Sequence, residues 1–196
     1  MTPLELDRIT HAYFGRTVLS AVRLTVSAGE IVALVGPSGC GKSTLVHIAA
    51  GLTEPQQGRI ARGYERHGMI FQEHRLLPWA TTGDNITYPL RLSGTPGAER
   101  KQRALDAAKL VSLDERDLVK FPIELSGGMR QRVAIARALV VEPDFVFFDE
   151  PFTALDVALK RQMQDIVIGA AQQSRFAGLF VTHDLAEAIR VADRIV

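Results

Sequence analysis

A glycine-rich segment of the sequence carries the residue types that hold phosphate groups in proteins. Residues 36–44 read GPSGCGKST and fit the spacing G-x-x-x-x-G-K-[ST]. The apolar run IVALV precedes the segment and the helix-like run STLVHIAA follows it, which is the strand, loop and helix setting that this motif requires. Glycines let backbone N–H groups approach phosphate oxygens closely, and the start of the helix adds positive potential. The pattern predicts a nucleotide-phosphate site rather than an ordinary turn.

The side chains near the end of this segment have separate predicted tasks. Lys42 is expected to reach the β- and γ-phosphates, and the Ser43 hydroxyl is expected to coordinate Mg²⁺. Cys40 lies where a helix start can acidify a thiol, but we interpret it as a tolerated small side chain and give its thiol no role. The residues predicted to contact the nucleotide here are Gly36, Ser38, Gly39, Cys40, Gly41, Lys42, Ser43 and Thr44.

Two acidic residues close a second strand-like run. FVFFD, residues 145–149, is continuously apolar before its acid, which predicts a strand buried on both faces of a parallel sheet. An unpaired carboxylate there would be costly, so Asp149 is predicted to bind Mg²⁺ or a Mg²⁺-bound water. Glu150 would point to the nucleotide side and is placed to accept a proton from attacking water. Such acids are often only solvated or salt-bridged, and the upstream phosphate segment is what favours a metal site.

Two further polar side chains follow strand-like runs. His183 comes after LFVT and Gln72 after MIF, so both are expected at the carboxyl edge of the sheet, where open α/β folds bind ligands. The Gln72 amide can bind Mg²⁺ or orient water. A lone histidine or glutamine is more often structural, and by themselves these residues leave both interpretations open.

A second helix start also suits an anion. In the stretch LSGGMRQRVAIARAL, residues 125–139, Ser126 is a good N-cap, and Gly127 and Gly128 permit close backbone approach to a positive helix terminus. No strand-like run precedes this stretch. It is therefore either a simple helix cap or a site for a phosphate held elsewhere.

The surrounding pattern predicts an α/β chain with a helical middle. Several short strands are expected over residues 4–35 and a helix over residues 43–50, followed by a polar, glycine-punctuated stretch to residue 68. Helices are expected over residues 98–111 and within residues 125–139. VALKRQMQDIVIGAAQQS is expected to be a crossover helix between two parallel strands.

Composition limits the class of protein. The 196 residues are 46% hydrophobic and 23% charged with a net charge of +1, which is an ordinary globular profile and does not point to nucleic-acid binding. The single cysteine fits a reducing compartment. Neither a signal peptide nor an apolar run long enough to cross a bilayer is visible, so we expect a cytosolic protein that meets a membrane only through a partner.

The motifs, taken in order, resemble those of one family. GPSGCGKST, FQE, LSGGMRQR, FFDEP, TALD and VTHD occur in the order found in the ATP-binding subunits of ABC (ATP-binding cassette) transporters, and the resemblance covers nearly the whole chain. It implies an α/β P-loop NTPase fold with a RecA-like core, an N-terminal antiparallel β subdomain and an inserted ABC α-helical subdomain. Within a single domain over residues 1–196, residues 1–78 and 139–196 would form the β subdomain and core, and residues 79–138 the helical insertion.

The resemblance also assigns roles to particular residues, with ATP and Mg²⁺ as the cofactors. Glu150 becomes the catalytic base, and His183 a sensor of the γ-phosphate. Asp156, in TALD, becomes a contact across a dimer interface, and Gln72 links the metal to the helical lobe. The predicted catalytic residues are thus Glu150, His183 and Gln72, and the predicted metal-binding residues are Ser43, Gln72 and Asp149.

An aromatic residue near the N-terminus stacks on adenine in this family. AYFG offers Tyr13 and Phe14, and we predict Phe14 because the family usually places that ring directly before the glycine. Core packing is the competing interpretation for either ring.

The resemblance gives the second helix start a purpose. In such ATPases two subunits face head to tail, and Ser126, Gly127 and Gly128 would bind the γ-phosphate of ATP held by the neighbour. The apolar cluster between Gln72 and Trp79 lies where related subunits receive a permease helix; packing beneath the helical lobe is the other interpretation. We therefore predict a homodimer bound to transmembrane permease subunits at the cytoplasmic face of the cell membrane, with a solute-binding protein as a further partner and without nucleic acid.

The particular residues within the motifs indicate which group of transporters the chain resembles. LLPW, GPSGC and LSGGMRQR look most like importers of the nitrate, sulfonate and taurine group, which implies an ATP-hydrolysing subunit that powers import of a small anion. One alternative is the ATPase of an exporter or membrane-remodelling complex, suggested by NITYPLRL. The other is a non-transport ABC regulatory module, which the near-neutral charge and single cassette disfavour.

Two departures from the family pattern are expected to alter the fold. GRIARGYERHGMIFQ is shorter than the usual stretch before the glutamine, so a strand or hairpin there is expected to be trimmed. The sequence closes with VADRIV, where family members continue with a further strand and helices, and those C-terminal elements are expected to be absent.

Overall fold

The computed structural model describes residues 2–153 and 155–196, and its strands form an antiparallel and a parallel sheet. In the antiparallel sheet, β1 is Leu4–Tyr13, β2 is Arg16–Val26 and β4 is Gln57–Arg62, and they pair in the order β2-β1-β4. Leu4 and Leu6 of β1 are buried, as the partial alternation of apolar residues predicts. The polar stretch before residue 68 therefore still contains one strand, β4, at the edge of this sheet.

A bulge in β1 explains a glycine in β4. The register between the two strands shifts between Asp7 and Thr10, opposite Gly58, whose φ is +106°. A Cβ at this position would lie 2.6 Å from the carbonyl oxygen of Arg8, so a larger residue cannot be accommodated.

The parallel sheet contains the strands that lead into the predicted site. β3 is Ile31–Val35, β5 is His67–Ile70, β6 is Phe145–Asp149, β7 is Ala177–Thr182 and β8 is Arg194–Ile195, in the order β5-β6-β7-β3-β8. β6 and β7 are buried along their whole length, which explains their continuous apolar sequences. The closing VADRIV segment supplies β8, where Arg194 donates to Glu30 at 2.6 Å and holds the pKa of that carboxyl below its usual value.

The helices fall into two groups along the chain. α1 (Lys42–Ala49), α5 (Val157–Ser174) and α6 (Leu185–Val191) accompany the strands of the parallel sheet. α2 (Thr82–Leu92), α3 (Gly97–Leu110) and α4 (Gly127–Leu139) lie between β5 and β6, pack on one another, and contact β5 through α4. The division at residues 79–138 stays a prediction, although these three helices occupy that stretch. None of the helices in the described residues is long and apolar enough to cross a membrane.

Alternate residues of the parallel strands point into two separate cores. Phe145 and Phe147 of β6 belong to a core shared with α1 and the antiparallel sheet. Val146 and Phe148, on the other face of the same strand, belong to a core shared with α2 to α6. Because the sheet is packed on both faces, the residues at its carboxyl edge are held on a rigid support.

Candidate functional site

The phosphate loop, residues 36–41, joins the end of β3 to the start of α1. Gly39 and Gly41 have positive φ values of +80° and +99°, a conformation that favours glycine. A Cβ on Gly41 would lie 2.9 Å from the carbonyl oxygen of Val18 in β2. The spacing of glycines in the motif therefore sets how closely this loop packs against the antiparallel sheet.

The Lys42 ammonium lies over its own loop. Its Nζ donates hydrogen bonds to the carbonyl oxygens of Gly36 at 2.7 Å and Pro37 at 2.8 Å. The thiol of Cys40 is exposed, with Sγ 3.8 Å from Nζ. A phosphate oxygen is a stronger acceptor for an ammonium than a neutral carbonyl, so an incoming phosphate can compete for this donor.

Asp149 joins β6 to the first turn of α1. The Ser43 hydroxyl donates to Asp149 Oδ1 at 2.7 Å, so the two predicted metal-binding oxygens lie side by side. His47 Nε2 lies 3.1 Å from the other carboxylate oxygen, Oδ2. The sequence analysis missed His47, although its position one helical turn after Ser43 places it on the same face of α1. A hydroxyl and a carboxylate are hard oxygen ligands, and this donor set fits Mg²⁺.

The structure brings Glu150 and His183 together. Glu150 Oε2 lies 3.2 Å from His183 Nδ1 and also accepts a hydrogen bond from Thr153 Oγ1 at 3.2 Å. Glu150 has a φ of +47°, and its N–H donates to the carbonyl oxygen of Val181 in β7. This left-handed backbone turns the carboxylate out of the sheet and towards the histidine. Thr153 is a second residue of the site that the sequence analysis missed.

A cavity of about 520 Å³ is lined by the phosphate loop together with Ser43, Gln72 and Glu150. Its size falls within the usual range for small-molecule sites. Predicted residues from three separate segments therefore meet at one cavity. Its lining residues are Tyr13, Val18, Ser38, Gly39, Gly41, Lys42, Ser43, Thr44, Gln72 and Glu150.

The two candidate base-stacking rings occupy different positions. Tyr13 closes β1, borders the cavity, and has its ring 4.7 Å from that of His11 in a T-shaped arrangement. Phe14 lies in the turn to β2 with a φ of +50° and is fully exposed. Stacking a base on Phe14 would cover apolar surface that otherwise faces water, whereas Tyr13 already borders the space that a nucleotide would enter. The choice of Phe14 stays a prediction.

Alanine substitutions can distinguish the two rings. We expect Phe14→Ala to weaken ATP binding by about tenfold, because stacking between a base and an aromatic ring contributes about 1–3 kcal/mol. Phe14 is fully exposed, so its removal should leave the melting temperature unchanged. Tyr13→Ala is the matched control, and both affinities can be measured by nucleotide titration. A loss confined to Tyr13→Ala would transfer the stacking role to Tyr13.

The signature turn, residues 126–128, opens α4. Ser126 Oγ accepts a hydrogen bond from Met129 N at 3.2 Å, as predicted for an N-cap. A Cβ on Gly128 would overlap Leu159 Cδ2, so the Leu159 side chain in the first turn of α5 packs directly beside this glycine and would have to move for a larger residue. Asp156 is the N-cap of α5 and accepts from Leu159 N at 3.0 Å. The structure thus shows a capping geometry for Ser126 and Asp156, and their roles towards a partner stay predictions.

Two side chains fix the backbone of the 72–79 segment. Arg137 of α4 donates to the carbonyl oxygens of His74 and Arg75, each at 2.7 Å. Partial burial lowers the pKa of Arg137, and the two carbonyl dipoles offset the cost of removing its charge from water. Asn85 of α2 accepts from Leu77 N and donates to Leu77 O. The segment after Gln72 is therefore tied to the helices that follow it.

The apolar cluster of this segment divides between packing and exposure. Leu76 packs against the core shared with the helices, whereas Trp79 is 75% exposed. The packing interpretation therefore holds for Leu76, and Trp79 remains available to a partner.

Comparisons with known proteins identify the family. The sequence profile of the ABC transporter family matches residues 19–153. An aliphatic sulfonates import ATP-binding protein of Burkholderia lata is 44% identical over the whole chain and 72% of its own length, and a counterpart from Bacillus licheniformis is 41% identical over 96% of the chain and 77% of its own length. An Fe(3+) ions import ATP-binding protein of Escherichia coli is 37% identical over 98% of the chain, which spans only 58% of that relative's length.

Solved structures agree with this assignment. A dimeric structure of the bacterial ABC transporter cassette MJ0796 covers 98% of this chain and 93% of its own, with 32% identity and a TM-score of 0.90. A post-hydrolysis state of the same cassette, bound to ADP and Pi, gives a TM-score of 0.87 at 30% identity and the same coverage. These matches confirm the predicted α/β P-loop NTPase fold with its antiparallel and parallel sheets. The chain belongs to the ABC transporter family, as the order of its motifs predicts.

Proposed function

We propose that this chain is the ATP-binding and ATP-hydrolysing subunit of an ABC importer. The observation that carries the proposal is that one cavity is lined by the phosphate loop, by Ser43, whose hydroxyl pairs with Asp149, and by Glu150, whose carboxylate lies beside His183. A glycine-rich turn with only a structural role would not explain why Glu150 and His183 lie close to it.

The residues of this chain divide the chemistry among themselves. Lys42 and the N–H groups of the phosphate loop would bind the phosphates, and Ser43, Asp149 and Gln72 would hold Mg²⁺, which when bound offsets negative charge on phosphate oxygens. Glu150 would accept the proton of the attacking water through its carboxylate. His183 lies 3.2 Å from that carboxylate and would orient it while contacting the terminal phosphate.

The partners follow from the same assignment. The signature turn would complete the ATP site of a second copy arranged head to tail, which the dimeric MJ0796 cassette supports. The 72–79 segment, with Trp79 exposed and its backbone tied to α4 by Arg137, is the surface that we assign to a permease. Docking to that permease would hold the chain at the cytoplasmic face of the membrane. A solute-binding protein would deliver the cargo to the permease on the opposite face.

The proposed cargo is a small anion, such as an aliphatic sulfonate, taurine or nitrate. Two of the relatives described above are named for sulfonate import, and they share a higher identity with this chain than the relative named for Fe(3+) import. All three are import proteins, which favours import over export. The ATPase itself does not contact the cargo, so support for this part of the proposal comes from the relatives alone.

Hydrolysis by the purified chain tests the ATPase assignment. We expect Mg²⁺-dependent release of phosphate from ATP, and Lys42→Ala is expected to slow it by about 10²-fold or more, because the variant removes the charge that faces the developing phosphate charge. Lys109→Ala is the matched control, since this exposed lysine lies near the end of α3, and its rate should equal that of the unmodified chain.

Equal rates for Lys42→Ala and Lys109→Ala would contradict the proposal. The cargo is tested separately by disrupting the gene in its own cell. Growth with an alkanesulfonate as the only sulfur source should be lost, growth on sulfate should be kept, and the unmodified chain but not Lys42→Ala should restore the lost growth. Normal growth on alkanesulfonates after disruption would reject the sulfonate assignment while leaving the ATPase assignment intact.

A further inference from the structure

A largely buried polar cluster adjoins His183. Its members are Thr182 at the end of β7, Glu187 in α6 and Lys160 in α5. Thr182 and Glu187 are 2% and 4% exposed, so their polar groups depend on each other rather than on water. None of the three touches the 520 Å³ cavity as a lining residue in the described part of the chain.

The Thr182 hydroxyl holds the backbone on both sides of His183. It donates to Glu187 Oε2 at 2.7 Å and accepts from the N–H of Asp184 at 3.0 Å. Asp184 in turn caps α6 by accepting from Ala186 N at 2.9 Å. His183 lies between Thr182 and Asp184, so these hydrogen bonds restrain the backbone from which the His183 side chain extends.

Lys160 balances the charge of the buried Glu187. Its Nζ lies 2.6 Å from Glu187 Oε1 and 3.5 Å from Asp184 Oδ2. The hydrogen bond to Glu187 raises the pKa of Lys160, so the ammonium stays charged. A buried carboxylate with both oxygens satisfied has little freedom to move, and it passes that restriction to the hydroxyl of Thr182.

The first turn of α5 connects this cluster to the signature turn. Leu159, the neighbour of Lys160, packs directly beside Gly128, where a Cβ would overlap Leu159 Cδ2. One helical turn therefore carries a side chain that contacts the signature turn and a side chain that holds Glu187. A movement of the signature turn against α5 would therefore also displace Lys160, because the two side chains share one rigid helical turn.

We propose that Lys160, Glu187 and Thr182 form a positioning network that fixes the His183 imidazole against Glu150 and links it to the signature turn through the first turn of α5. The proposal rests on the proposed function, because it assigns these residues to the support of the same hydrolytic site. They are positioning residues, since they act through His183 rather than on the nucleotide.

The first test removes the hydroxyl of Thr182. Thr182→Val keeps the side-chain shape and should lower kcat for ATP hydrolysis by about tenfold with KM unchanged, because a small displacement of a catalytic group slows the chemical step without weakening binding. Thr182→Ser restores the hydroxyl and should recover most of the rate. An unchanged kcat in Thr182→Val would overturn the proposal.

A double-mutant cycle separates positioning from general stability. Combined with His183→Ala, Thr182→Val should cause no further loss of kcat, because the group that it positions is already gone. The same fold loss in both backgrounds would show a role that does not pass through His183, and would overturn the proposal. Lys160→Met combined with Glu187→Gln tests the link to α5 without leaving an unbalanced buried carboxylate, and it too should lower kcat with KM unchanged.

A spectroscopic readout tests the same point without hydrolysis. In protein labelled with ¹³C-histidine, the imidazole resonance of His183 is identified by its absence in His183→Ala. It should shift in Thr182→Val and in the Lys160→Met, Glu187→Gln double variant, and should stay in place in Arg161→Met, an exposed neighbour on α5. An unmoved resonance in the first two variants would reject the network. Absence of ATPase activity in the unmodified chain would reject only the proposed function.

Discussion

Glu150→Gln is expected to keep ATP binding and to slow steady-state ATP hydrolysis by about 10²-fold or more, because a carboxamide cannot accept the proton of an attacking water. Glutamine has nearly the same shape, and its amide can still lie beside Thr153 and His183, so the cavity should be preserved. Binding is measured by nucleotide titration and hydrolysis by release of phosphate.

Glu142→Gln is a closely matched control for this substitution. Glu142 also has a left-handed backbone, with a φ of +50° against +47° for Glu150, but its side chain is exposed and pairs with Arg103. Any effect of placing glutamine in a left-handed conformation should therefore appear in both variants. Wild-type turnover in Glu150→Gln would remove Glu150 as the base and leave His183 as the next group to test.

The chemistry-bearing ends of the parallel strands could be predicted from the sequence. FVFFD and LFVT are continuous apolar runs because both strands are buried on both faces, and their polar ends reach the same sheet edge. The glycine spacing of the phosphate loop likewise reflects a local requirement, since Gly39 and Gly41 have positive φ values. Such features depend on short stretches of chain, and a short stretch is what a sequence pattern records.

β4 could not be predicted, because it is an edge strand whose side chains are mostly exposed. Its sequence QGRIAR lacks the apolar alternation that marks a half-buried strand, and its position is set by pairing with β1. We expected a strand or hairpin to be trimmed there because the stretch before Gln72 is short, but its length does not show which strand pairs with β1.

Contacts between distant elements were also beyond the sequence pattern. His47 reaches Asp149 only because α1 packs on β6, and Lys160 reaches Glu187 only because α5 packs beside α6. Nothing in the sequence distinguishes Arg137 from an ordinary surface arginine, yet its half-buried side chain donates to two carbonyl oxygens of the 72–79 segment. Each of these side chains has a role that its packing neighbours determine, and those neighbours come from other parts of the chain.

The second large effect is expected at the signature turn. Ser126→Arg should leave the ATP affinity of the isolated subunit unchanged, because the cavity of this chain is lined by residues from other segments. It should abolish ATP-dependent dimerisation and hydrolysis, because the arginine side chain would fill the space at the helix start in which the partner's γ-phosphate would bind. Light scattering in the Glu150→Gln background measures the dimer, since slow hydrolysis lets an ATP-bound dimer accumulate.

Ser174→Arg controls for adding an arginine elsewhere on the surface. Ser174 is exposed at the last residue of α5, where a cation is favourable at a helix C-terminus, so dimerisation and hydrolysis should be kept. Loss of the N-cap in Ser126→Arg is expected to cost about 1 kcal/mol, which a melting curve would show and which is too small to unfold a typical domain. Normal hydrolysis by Ser126→Arg would show that the signature turn only caps α4.

Mixing two inactive variants decides whether the signature turn acts on the partner's nucleotide. Lys42→Ala has a defective phosphate loop and an intact signature turn, whereas Ser126→Arg has the reverse. In a head-to-tail heterodimer, one of the two composite sites receives both intact halves, so the mixture should regain part of the hydrolysis that neither variant shows alone. If the signature turn served the nucleotide of its own subunit, every site in the mixture would keep one defect and no activity would return. Recovery therefore requires that each site be built from two chains.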